Sequence, residues 1–257
     1  MNMRSVLLLF VICFSINAFA QKKKKGEEAR PAVPTTAPAE AKKPEPTKVD
    51  SLAPRDVLTE HFARKYAAAV QWNDYDVAKD ALYDLIIRNP QNDSLIFDLA
   101  VFYYQNRKAA SAVLVSNELL ARNPKNTTAL EINASGLEEL GVLDKAIQKY
   151  ESLYLLTSNM GVMYKMAFLQ YRLKRYGEAS TSADILLSNK DIDTNKVAFN
   201  TADGKQKDYA MKVAVLNLKG MLALDQGDKV NGKKFFEQAL AAAPDFVLAK
   251  EGLAKCK

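Results

Sequence analysis

The strongest constraint on this chain is a pattern that returns at a fixed distance. Ala78 and Ala112 stand 34 residues apart, as do Pro90 and Pro124, and each of those prolines closes an Arg-Asn-Pro triplet. Ala146 follows Ala112 by the same 34 residues. A period of this size marks an array of stacked units, each of which can bury its apolar face only against its neighbours. Only 10 of the 257 residues are glycine, while leucine, alanine and lysine are abundant, so the units are expected to be helical.

Set in one register, the sequence divides into units at 59–92, 93–126, 127–159, 160–190 and 213–246. An insertion falls at 191–209, and a capping helix at 245–257 closes the array. Each unit is expected to contain two helices joined by a short turn, such as Trp72-Asn73-Asp74 in the first and Gly141 in the third. The eighth residue of the first four units is Tyr66, Ala100, Ala134 and Ala167, and the twentieth is Ala78, Ala112, Ala146 and Ala179. In the last unit these positions are Gly220 and Gly232.

These residues resemble the tetratricopeptide repeat (TPR) family, whose pattern places small residues at the eighth and twentieth positions, a large one at the twenty-fourth and proline at the thirty-second. The resemblance covers 59–257 apart from the insertion and implies an all-α, right-handed superhelix. Small residues are needed where the two helices of a unit cross most closely, since overpacking such a contact costs about 1–3 kcal/mol. Tyr66 departs from the pattern, and the fourth unit lacks the proline. In the insertion, Asp203-Gly204 lies between two semi-alternating runs, which predicts a short β-hairpin or an irregular loop.

Ahead of the array, residues 1–20 combine Arg4, an apolar run from Val6 to Ile16, and Ala18-Phe19-Ala20 before Gln21. These are the parts of a cleavable secretory signal, with cleavage expected after Ala20 and a location in the periplasm or outside the cell. The run is short for a membrane span, which needs about 20 apolar residues. Val11-Ile12 ahead of Cys13 is a poor lipoprotein site. A Gln at the new terminus resembles exported proteins of Bacteroidetes-type bacteria. Residues 21–54 hold Lys22–Lys25, six prolines and no aromatic residue, the composition of an extended linker that cannot build a core. Its lysines suit association with a membrane or cell-envelope surface.

Charge and chemistry exclude several functions. The net charge of +6 divides unevenly: residues 21–54 carry eight Lys/Arg against five Asp/Glu, and from Arg55 onward 27 basic residues face 25 acidic ones. An excess of that size, without a concentrated basic face, does not suit nucleic acid. His61 is the only histidine, and Cys256 is the only cysteine outside the signal segment, so no triad, histidine metal site or internal disulfide is expected. No phosphate-binding glycine motif occurs. Asp191, Asp193 and Asp203 in the insertion are read as solvated rather than metal-binding. The expectation is a non-enzyme without cofactor or metal.

What remains is recognition. In TPR proteins the first helix of each unit lines a concave groove, chiefly through its second, fifth, ninth and twelfth positions. Carried onto this chain, the resemblance nominates Phe97, Val101 and Tyr104 in the second unit. It nominates Glu131, Ser135 and Glu138 in the third, and Tyr164, Phe168 and Tyr171 in the fourth. The first unit offers only Ala63, Ala67 and Val70, so the Lys and Asn with which some TPR domains grip a C-terminal carboxylate are absent. Aromatics flanking two carboxylates suit a protein or peptide ligand with apolar groups and a positive charge. The sequence thus points to a peptide-binding scaffold at the cell envelope. Alternatives are a structural subunit of an envelope or outer-membrane assembly complex, and an accessory holding glycan or lipid through the basic linker.

Overall fold

The computed structural model describes residues 56–201 and 203–257; the expected signal at 1–20 and the expected linker at 21–54 lie outside them. The described residues form eleven helices and one two-stranded sheet. The helices run in antiparallel pairs: α1 (Val57–Gln71) with α2 (Tyr75–Arg88), α3 (Asp93–Gln105) with α4 (Ala109–Arg122), and α5 (Thr127–Glu139) with α6 (Leu143–Thr157). Then come α7 (Met160–Arg172) and α8 (Tyr176–Ser188), strands β1 (Lys196–Asn200) and β2 (Gln206–Ala210), and α9 (Met211–Asp225) with α10 (Lys229–Ala242). A short α11 (Val247–Lys255) ends the chain. Consecutive helices pack on one another throughout, and α3 also touches α5 as α7 touches α9, so first helices line one side of a right-handed superhelix.

Local chemistry fixes these helices. Asp56, Asp74, Asn92, Asn126, Asn159 and Asp228 each stand at an N-cap and accept backbone N–H bonds from the first turn. At the other end of every first helix the chain reverses through one left-handed residue: Asn73 (φ 57°), Arg107 (φ 54°), Gly141 (φ 75°), Lys174 (φ 59°) and Gly227 (φ 82°). The next residue's N–H reaches back five residues, as from Asp74 to Ala69 O at 2.8 Å and from Lys108 to Tyr103 O at 2.9 Å. This is a Schellman closure, which satisfies carbonyls the helix end would leave open. The same turn recurs in all five units although glycine occupies it only twice.

The core follows the repeat. Ala78, Ala100, Ala112, Ala134, Ala146, Ala167 and Ala179 are all at most 1% exposed, so helix backbones approach closely at each crossing. The last unit solves the same problem differently. Phe236 lies wedged between α9 and α11, and a Cβ on Gly220 or Gly252 would stand 2.4–2.8 Å from its ring atoms. The third unit is one residue short, and where a proline would fall Ser158 ends α6 in the left-handed region (φ 50°).

The insertion is a hairpin, with Val197 opposite Tyr209 and Phe199 opposite Lys207. Thr201 and Lys205 close it around Gly204 (φ 79°). Phe199 and Tyr209 pack edge-on against Phe246 at 5.0 and 4.9 Å between ring centroids, and Lys207 and Tyr209 both bond Asp245. The hairpin therefore clasps the link between α10 and α11. Among the described residues no helix is long and apolar enough to cross a membrane.

Candidate binding surface

The inner side of the superhelix is carried by α3, α5, α7 and α9. On α3, Phe97 and Val101 are half-buried against the core, whereas Tyr104 is 44% exposed. On α5, Glu131 is exposed, and Ser135 and Glu138 are half-buried. On α7, Phe168 and Tyr171 are half-buried, and their rings stand 6.3 Å apart. Tyr171 donates to Asp225 Oδ2 of α9 at 2.8 Å and so ties the fourth unit to the fifth.

Tyr164 departs from its expected role. Only 6% of it is exposed and it belongs to the core, so its ring is not offered to a ligand. The position that the family resemblance assigns it is on the inner side, but the ring is large enough to fold into the packing between neighbouring helices. Burial accordingly pushes its phenol well up from the ordinary value.

The residue that sequence reasoning missed is Tyr150. It sits on α6, a second helix, and is 1% exposed. Its hydroxyl nonetheless emerges between two inner-surface side chains of α5, donating to Glu138 Oε2 at 2.9 Å with Ser135 Oγ at 3.2 Å. Lys165 of α7 lies 5.4 Å from the centre of the Tyr150 ring. Four helices thus meet at one polar point: Tyr104 from α3, Ser135 and Glu138 from α5, Tyr150 from α6 and Lys165 from α7. Burial, then the Glu138 carboxylate, push the Tyr150 phenol well above its usual range, and Tyr104 adds a smaller push. The signal was present in the sequence: the twenty-fourth position needs only bulk, and a tyrosine there brings a hydroxyl that must find a partner.

The only histidine, His61, is exposed and stacks edge-on against Phe62 at 5.4 Å between centroids. The Cys256 thiol bonds Gly252 O. Asp193 pairs with Lys212, and Asp203 with Lys205 and Thr201, so these two aspartates of the insertion serve local structure. Among the described residues no three His, Cys, Asp or Glu side chains are grouped to hold a metal ion. A polar hollow of about 390 Å³ lies apart from the inner surface, between the α6–α7 turn and the loop before β1. Asn159, Asn189 and Asn195 in its wall already bond nearby groups of the protein.

No family model matches the chain, and no curated protein matches it. Solved structures do. A tetratricopeptide repeat protein from Parabacteroides merdae ATCC 43184 superposes with a TM-score of 0.58 at 21% identity, over 78% of this chain and 72% of that one. A MamA protein gives 0.56 at 15% identity over 77% and 94%. MamA from Desulfovibrio magneticus RS-1 gives 0.56 at 8% over 74% and 97%. At such identities the likeness speaks for architecture. Together with the helix pairs, the buried small residues and the repeated turn, it shows that this chain has the fold of the tetratricopeptide repeat proteins.

Proposed function

We propose that the chain is a non-enzymatic scaffold exported to the cell envelope, where the inner face of its superhelix binds a protein or peptide. The observation that carries this reading is the meeting of Tyr104, Ser135, Glu138, Tyr150 and Lys165 from four helices on that face. A half-exposed aromatic beside fixed polar groups gives a ligand both apolar area and orientation. Binding there needs no bond made or broken. The fold supports a role in protein interaction generally. Export rests on Arg4, the apolar run and Ala18-Phe19-Ala20 ahead of the array.

The test compares the chain with a Tyr104→Ala/Glu131→Lys variant of equal thermal stability. Both are used as bait in envelope extract, and any captured protein is then purified and titrated directly against each. Both substituted side chains are exposed, so the fold should tolerate the change. Loss of affinity by tenfold or more in the variant supports the inner face as the binding surface. Equal affinity moves the interface to the outer face, the hairpin or residues 21–54, and the reading is dropped. Fractionation of cells expressing the whole chain tests export separately: a cytoplasmic protein retaining residues 1–20 rules it out.

A further inference from the structure

We draw no further inference here: the strongest candidate, the apolar surface of the first unit, where Val57, Leu58, Trp72 and Ile87 stand exposed on the α1–α2 pair, carries nothing, because nothing in the structure shows what covers it.

Discussion

At the scale of single residues, the array is regulated by what cannot be large and by what must turn. Gly220 is the sharper case of the first kind, because its would-be Cβ meets three atoms of the Phe236 ring at 2.6–2.8 Å and that ring is fully buried. Phe236 is confined by Gly252 on its other side and cannot retreat. Gly220→Ala should therefore destabilise the protein by about 1–3 kcal/mol, read as a lowered urea midpoint, despite alanine's better helix propensity. Arg107 is a case of the second kind, held at φ 54° where a side chain crowds its own carbonyl. Left-handed backbone costs a non-glycine residue about 1–2 kcal/mol, of which glycine's looser unfolded state returns part. Arg107→Gly should stabilise by about 0.5–1 kcal/mol in the same measurement, while Gly141→Arg should do the reverse.

The elements were legible in the sequence to different depths, and the reason is the range of the interactions that shape each one. Helix pairs depend on contacts within a unit and on its neighbours, so the spacing of Ala78, Ala112 and Ala146 was enough to place them. The hairpin was legible as a possibility from Asp203-Gly204, a local signal. Its partner was not, since Phe246 lies 47 residues after Phe199 and nothing in either segment names the other. Similarly, the groove positions implied by the family resemblance nominated Tyr164 for the inner face and passed over Tyr150, because a position locates a Cα atom while ring length decides where a tyrosine ends. Glu131 and Tyr104 are exposed, as their positions suggest. The clasp on the α10–α11 link makes an element-scale prediction. Phe199→Ala removes a buried ring that supports Phe246, at a cost of about 3–5 kcal/mol. Hydrogen exchange should then rise in α11 and the hairpin while α3–α6 keep their protection, as expected of a molecule whose units interact only with neighbours. A uniform rise over all helices would show that the cap is not an independent element.

For the whole molecule, the carboxyls held low at Asp56, Asp228 and Asp245 lie toward the ends, whereas phenols raised by burial occur along the array, Tyr66 in the first unit and Tyr209 in the hairpin included. Asp56 caps α1 and bonds Arg88 Nη2 at 2.6 Å, tying the start of the first unit to its end. The Arg88 guanidinium, with the Thr59 hydroxyl, holds its carboxyl down at about 2. At the far end, Lys207 lowers Asp245, and bonds from Asn231 lower Asp228 at the cap of α10. A carboxyl depressed by folding contributes stability that is present above its ordinary value of 3.8 and lost as pH falls through the folded value. The tyrosines run the other way. Burial, aided by Tyr83, pushes Tyr103 up to about 12, and burial likewise raises Tyr150, Tyr164 and Tyr171, all in units two to four. A raised phenol contributes stability that is complete below 10.0 and declines above it, because the unfolded chain gives up its proton first. Acid should therefore loosen the ends before the middle, whereas alkali should loosen all the units together. Trp72, the only tryptophan, closes α1 and reports on the first unit alone. Below pH 3.8, its fluorescence anisotropy should fall while far-UV circular dichroism still shows most of the helix. Above pH 10.0, with excitation beyond tyrosine absorption, anisotropy and helix content should fall together. Asp56→Asn should lower the anisotropy already at neutral pH, remove the part of the acid step that Asp56 contributes, and leave the alkaline transition in place. Coincident transitions at both extremes would mean that the array unfolds as one unit, and that Asp56 and Arg88 do not govern the first repeat separately.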